Sequence, residues 1–230
     1  PLIGVDHLKG HIYSLFIEKD EKLPLLALLV SGGHTQIVEV ENWNSFNIVA
    51  KTLDDSLGES FDKVSKMLGL GYPGGQVIEN LAKNGDSQKF KLPVPLSQSP
   101  KIAFSYSGLK NSVRLAIEKN NRDDLNFQRD ISASFQRVAT EHLIQKLKKY
   151  LKTSKKKFRY FGIVGGVSAN RYIFERISEI TESFGMKILS PKIEFTSDNG
   201  AMIGRYGVEL YKNSVFTKIE DLEISSKSEI

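Results

Sequence analysis

The chain has 230 residues, 40% of them apolar and 26% charged, with a net charge of +5 and no cysteine. These values suit a globular chain with a genuine core and speak against disorder or a fibrous repeat. Lack of cysteine excludes disulfides, thiolate metal sites and thiol catalysis, and fits a reducing compartment.

The most apolar run, residues 23–30, is far shorter than the ~20 residues a spanning helix needs. No basic segment precedes a signal-like stretch, so the chain reads as cytoplasmic, with no membrane partner.

The sequence opens on Pro1 and a short β-like run, residues 2–5, which reads as a cut edge. Three β-rich runs follow at 25–30, 35–40 and 46–53, joined by connections short enough to predict an antiparallel meander. Helical spacing then takes over, with Phe61, Val64, Met67 and Leu68 on one face, closed by Gly69 and the Gly71-Tyr72-Pro73-Gly74-Gly75 break. Another helix is expected to start over 77–83. Residues 91–107 carry Pro93, Pro95 and Pro100, each of which removes a donor and restrains its predecessor, so a loop is expected there.

Apolar residues at three- and four-residue spacing predict helices over 109–119 and 125–151. A buried strand at 160–164, a helix at 169–184, a strand at 186–189 and a helix at 199–211 complete the pattern. Early strands followed by alternating helix and strand predict an α/β fold with a mixed sheet. Residues 1–212 read as the core and 213–230 as a polar, loosely held tail.

A basic run, Lys146, Lys148, Lys149, Lys152, Lys155, Lys156, Lys157 and Arg159, could attract an RNA backbone, or could be a solvated helix end complementing the macrodipole.

His7 and His11 are two of four histidines in the chain. Within a helix over 6–15 they project from one face, as two imidazole ligands of a divalent cation require. Leu8 stands where a zinc protease has its acid, which argues against that chemistry. Asp198 is the best candidate for a third ligand, and its competing role is an ordinary helix N-cap. Two histidines and a carboxylate would leave positions open, suiting iron(II) or catalytic zinc.

Ser31-Gly32-Gly33-His34-Thr35 joins two strands and is either a phosphate-approaching loop or a plain hairpin turn. Gly165-Gly166-Val167-Ser168-Ala169-Asn170 follows a buried strand and opens a helix, the place where open α/β sheets bind nucleotides, although it is neither a Walker A loop nor a dinucleotide fingerprint. The residues alone thus reach a nucleotide-binding α/β protein with a two-histidine metal site.

Seven motifs in order carry a resemblance. They are Asp6-His7-Leu8-Lys9-Gly10-His11, the stretch from Leu29 through Val30 to Gln36, Gly58-Glu59-Ser60-Phe61-Asp62-Lys63, Tyr72-Pro73-Gly74-Gly75, the run from Phe104 to Lys110, that from Gly165 to Arg171, and that from Thr196 to Ile203. Together they resemble the tRNA N6-adenosine threonylcarbamoyltransferase family, TsaD in bacteria.

The resemblance implies an actin/Hsp70-like (ASKHA, ribonuclease-H-like) fold with a helical insertion and the first lobe truncated, roughly a hundred residues, the usual size of one domain. It implies transfer of a threonylcarbamoyl group from threonylcarbamoyl-adenylate to N6 of the adenosine beside the anticodon in tRNAs reading codons that begin with A. By matched position, His7, His11 and Asp198 would hold the metal, iron(II) or zinc. Leu29, Val30, Ser31, Gly32, Gly33, Asp62, Gly75 and Asn170 would hold the adenylate, and no covalent nucleophile is evident.

The implied partners are tRNA, an ATP-type nucleotide and accessory subunits of the TsaB and TsaE type, and the isolated chain is expected to be weakly active or inactive. The competing classes are a non-catalytic scaffold that keeps the cleft, and a carbamoyltransferase or sugar kinase acting on a small molecule. Lys9 stands where the family usually has Glu, which brings a positive charge close to the histidines, and the polar tail does not match the family's ending.

Overall fold

The computed structural model describes residues 1–222. Five strands occur among them: β1 (Leu25–Val30), β2 (Thr35–Asn42), β3 (Ser45–Lys51), β4 (Tyr160–Val164) and β5 (Lys187–Leu189). They form one sheet in the order β3-β2-β1-β4-β5. β1 pairs antiparallel with β2, from Leu25 opposite Val40 to Val30 opposite Thr35, and parallel with β4. β3 joins β2 antiparallel and β5 joins β4 parallel, which gives the predicted meander and mixed sheet.

β1 is central and buried along its whole length, which is why it reads as an unbroken apolar run. Its side chains alternate between two cores. Leu26, Leu28 and Val30 enter a large core with α2 (Leu57–Met67), α3 (Gly74–Ala82), α4 (Ser107–Glu118), α5 (Leu125–Thr153) and α6 (Arg171–Ser183). Leu25, Ala27 and Leu29 face a smaller one with α1 (His7–Tyr13) and α7 (Gly200–Lys212). Helices thus cover both faces of the sheet. No helix among the described residues is long and apolar enough to cross a membrane.

Local chemistry starts each helix near the site. Ser56 caps α2 in a capping box with Glu59, and Leu57, Phe61, Val64 and Leu68 then fall on one buried face. The proline-bearing loop before α4 is fastened from both sides. Asp54 accepts from Ser105 Oγ (2.6 Å), Ser107 Oγ (2.8 Å) and the Tyr106 and Ser107 amides (2.8 and 3.2 Å), while Lys146 of α5 donates to the Leu96 and Lys101 carbonyls (2.7 and 3.3 Å).

Several expectations change. Residues 2–5 form no strand; Ile3 and Val5 pack into the smaller core, and this backbone is held by Thr217, whose amide donates to the Leu2 carbonyl and whose Oγ1 accepts from Gly4. The chain after residue 212 is therefore tied down at Thr217 instead of loose, and residues 223–230 of the expected tail lie outside the described residues. The helix expected over 6–15 is α1 followed by a 3-10 turn, Ser14–Phe16, which lets Leu15 press on Gly162 of β4. The helix expected over 169–184 begins at Arg171, after a separate 3-10 turn at Gly166–Ala169.

Three members of the basic run are engaged by the protein's own groups. Lys146 is fully buried, Lys149 donates to the Ser99 carbonyl (3.3 Å), and Lys156 bridges Glu39 (2.8 Å) and Glu41 (2.6 Å). Neither a phosphate-binding surface nor a solvated helix end describes Lys146.

Glu39 on β2 is the acidic centre of this region, buried and bonded by Tyr150 (2.5 Å), Asn47 (2.9 Å) and Lys156. Burial pushes its carboxyl up, but the three bonds outweigh that effect and hold it below its ordinary value of 4.5. A carboxyl depressed on folding stabilises the protein above its unfolded pKa, and the contribution is lost as pH falls through the lower folded value. Glu39→Gln is expected to cost about 2 kcal/mol at neutral pH, with the gap to wild type closing below about pH 4. Urea denaturation at several pH values measures both; a pH-independent gap would show that charge is not what Glu39 contributes.

Candidate metal and nucleotide site

α1 begins at Asp6, whose carboxylate caps the Lys9 amide at 2.9 Å. Leu8 and Ile12 anchor the helix in the smaller core. That burial turns His7 and His11, one turn apart, toward the start of α7, with their rings edge to face at 4.8 Å. Asp198 meets them there. Its Oδ1 lies 3.3 Å from His7 Nε2 and 3.0 Å from His11 Nε2, and one donor atom from each residue fits within 4.8 Å.

The competing role for Asp198, the N-cap, belongs instead to Asn199, whose Oδ1 accepts the Met202 amide at 2.8 Å.

The two imidazole to carboxylate distances suit a divalent ion, while the three donor atoms together lie within 4.8 Å, a wider span that an ion would draw in. Donors bound at about 2.0–2.2 Å to one centre, at angles from a right angle to tetrahedral, lie about 3.0–3.5 Å apart, and both imidazole to carboxylate separations fall in that range. Burial, then the neighbouring His7, push the His11 pKa down, and Asp198 only partly offsets them. His11 is therefore a neutral imidazole at neutral pH, the form that ligates. Its Nδ1 is buried without a hydrogen-bond partner, so the ring's engagement lies at Nε2.

Lys9 does not face this cluster. Two positions past His7 it leaves the opposite side of the helix, and its ammonium lies 5.0 Å from the centre of the Phe46 ring, so its charge is directed away from His7 and His11.

The Ser31–His34 segment is the turn of the β1–β2 hairpin, with the Ser31 amide bonded to the His34 carbonyl at 2.8 Å. It is a hairpin turn, yet its glycines are not there for the turn's own sake. A Cβ on Gly32 or Gly33 would meet nothing within 4 Å, and the same holds for Gly75.

Gly165 is different: its φ is +90°, and a Cβ would lie 2.3 Å from the Val30 carbonyl oxygen. Gly58 packs as tightly on Ser31 from α2, where Ser56 Oγ donates to the Gly32 carbonyl at 2.6 Å. Hairpin, α2 and the turn after β4 therefore meet at one point, so Leu29, Val30, Ser31, Gly32 and Gly33 lie at the carboxyl ends of the central strands.

Asp62 spends one oxygen on the Gly74 amide (2.7 Å), which holds the start of α3, next to Gly75, against α2. Asn170 caps α6 through the Ile173 amide (3.0 Å) and donates to Gln136 (2.9 Å). Each of its polar atoms keeps a second lone pair or hydrogen for another partner.

Two residues escaped the sequence reading. His34 lies close enough to His7 that the latter adds to the burial lowering its pKa, and it does the same to His11, so it links the turn to the metal ligands. Glu79 of α3 accepts the Arg171 amide at 2.8 Å beside Asn170 and lines a cavity of about 340 Å³ with Gln136, Arg171 and Tyr172. His34 sat in a quoted motif and shared the imidazole signal; Glu79 had no local signal.

A helix-covered mixed sheet, with two imidazoles and a carboxylate converging beside glycine turns at the carboxyl ends of its central strands, defines an α/β protein with a candidate metal site. The family profile for TsaD, tRNA N6-adenosine threonylcarbamoyltransferase, matches residues 1–205, and the chain belongs to that family.

A relative of that name from Sulfurimonas denitrificans is 57% identical over the whole chain, which covers 69% of it, and one from Nautilia profundicola is 56% identical over 97% of this chain and 66% of its own length. The chain thus spans about two thirds of these relatives. Among solved structures, full-length HypF in a phosphate- and nucleotide-bound form aligns with a TM-score of 0.69 at 15% identity, over 94% of this chain and 37% of that one, a likeness of fold alone.

Gly165→Ala tests the junction. The added methyl cannot be accommodated against the Val30 backbone, and the positive φ strains it further, so a loss of about 3 kcal/mol is expected, together with displacement of the Ser31–His34 turn. Thermal denaturation and the amide shifts of residues 31–34 would report both; wild-type stability would contradict the close approach.

Proposed function

We propose that this chain transfers the threonylcarbamoyl group of threonylcarbamoyl-adenylate to N6 of the adenosine adjacent to the anticodon in tRNAs reading codons that begin with A. The observation that carries this reading is the convergence of His7, His11 and Asp198, within a chain whose relatives at 57% and 56% identity are tRNA N6-adenosine threonylcarbamoyltransferases. In this reading residues 1–212 form an actin/Hsp70-type core with a helical insertion and 213–230 a C-terminal extension.

The reaction breaks the bond between the donor's carbamoyl carbon and the adenylate phosphate oxygen, which departs with the electron pair as AMP. It forms a bond from that carbon to N6, and the amine gives up a proton. His7, His11 and Asp198 would hold one divalent ion, zinc or iron(II), whose contribution is Lewis acidity toward the donor's oxygens.

The chain's own groups do the rest. Gly32, Gly33 and Gly75 offer backbone that nothing inside the fold crowds, so a phosphate can approach their amides. Asp62 keeps one carboxylate oxygen for ribose hydroxyls, and Asn170 and Glu79 stand where a nucleoside can be held at the start of α6. With no covalent nucleophile at hand, catalysis consists of positioning donor and amine together and stabilising the charge that develops. The partners of this reading are tRNA, a donor-making synthase and accessory subunits of the TsaB and TsaE type, in the cytoplasm.

The full-length protein, this chain together with the first lobe that the reading implies, supplied with those subunits, the synthase, tRNA, threonine, bicarbonate and ATP, is expected to yield N6-threonylcarbamoyladenosine detectable by mass spectrometry of digested tRNA, and the 230 residues alone little or none. His11→Ala should lower the yield more than about 100-fold, beyond the ~10–100-fold typical of outer-shell losses. No modified nucleoside from the wild-type full-length protein would overturn the transferase reading, and equal yields from it and from His11→Ala would overturn the metal's part in it.

A further inference from the structure

Asp198 is the member of the cluster that burial does not hold. Its side chain is 75% exposed, against 1% for His11. Asn199 fixes it to the first turn of α7, so its distance from the imidazoles depends on how α7 lies on α1.

Most of that contact is smooth. Gly10 faces Ile203 and the Met202 carbonyl, and the Tyr13 and Tyr206 rings pack at 4.8 Å. Such surfaces resist separation more than they resist sliding.

Arg205 is the directional exception. From the middle of α7 its Nε donates to the Phe16 carbonyl (3.1 Å), just past the end of α1, one terminal nitrogen donates to Glu21 (2.7 Å) and the other to Glu209 (2.8 Å). Its guanidinium also lies 5.4 Å from the centre of the Tyr13 ring, and the side chain is only 18% exposed. The bonds to the Phe16 carbonyl and Glu21 reach beyond α7 while the one to Glu209 stays within it, and a planar fork held this way over a ring constrains how α7 sits, which a lysine in its place would not.

We propose that Arg205 is a positioning residue for the metal centre, seating α7 on α1 so that Asp198 meets His7 and His11 at ligand distance. The inference rests on the reading of those three residues as metal ligands. A helical rise of 1.5 Å per residue puts Asp198 about 10 Å along the axis from Arg205. A tilt of about 6° about that point moves the carboxylate by about 1 Å, several times the ±0.2 Å within which ligand distances hold.

Cobalt(II) titration of the purified full chain, read from the visible absorption of the bound ion, tests this, with urea midpoints measured in parallel. Arg205→Gln is expected to weaken cobalt(II) binding at least ~10-fold and to change the shape of the absorption band; Arg205→Lys should recover part of the affinity. Glu39→Gln supplies the comparison, because it removes a buried charge on the opposite face of the sheet. It should lower the urea midpoint and leave cobalt(II) affinity within about twofold of wild type.

Unchanged affinity in Arg205→Gln, or an equal loss in Glu39→Gln, would reduce Arg205 to a stability residue and overturn the proposal. If Arg205→Gln does not fold, Arg205→Lys and Glu21→Gln are judged by the same criterion. A wild-type chain that binds no cobalt(II) would instead sink the metal reading on which the proposal stands.

Discussion

The site depends on how closely the chain leaving β4 approaches the end of β1. Gly165, at φ +90°, passes so near the Val30 carbonyl that no side chain fits between them. That approach is possible because β1 and β4 are parallel neighbours, and both are buried in the centre of the sheet. Parallel strands deliver their carboxyl ends to one edge, so the Ser31–His34 turn and the turn before α6 must arrive together. Gly58 adds the third wall by letting α2 start against the same turn. Residues separated by more than a hundred positions in sequence, Ser31 and Gly165 among them, become neighbours through two strands and two crowded glycines.

His7, His11 and Asp198 are positioned by a different device on the other face. The smaller core beneath β1 holds α1, and through it a neutral, buried His11; α7 then brings Asp198 to it from above. His34 stands between the two arrangements, in the turn and within electrostatic reach of His7.

Much of this was legible in the sequence, and the reasons are local. β1 reads as an unbroken apolar run because both its faces are buried, and the short connections around Gly32 and Trp43 left only a meander for β1 to β3. His7 and His11 were legible because helical spacing alone puts them on one face. What stayed hidden was long-range. Asp198 read equally as an N-cap until Asn199 was seen to fill that role. Glu79 has no motif and matters only because α3 packs beside the start of α6. Lys146 looked like one more cation in a basic run, although its ammonium is a buried donor to the proline-bearing loop fifty positions earlier. Residues 2–5 looked like a strand because Ile3 and Val5 are β-branched and apolar, but their pairing partner is a single threonine, not a strand.

The glycines show why composition at a site is not self-explanatory. Gly58, Gly74 and Gly165 are demanded by the fold, since each would drive a Cβ into backbone or a packed side chain. Gly32, Gly33 and Gly75 are not, for a Cβ at any of them meets open space. Internal packing therefore gives no reason for the second group, and none of the three has the positive φ that would call for glycine on backbone grounds. What remains is the space outside the protein surface, where a methyl group would stand between the backbone amides and whatever approaches them. Two kinds of position thus stand side by side: glycines that let the protein close on itself, and glycines whose backbone faces open space.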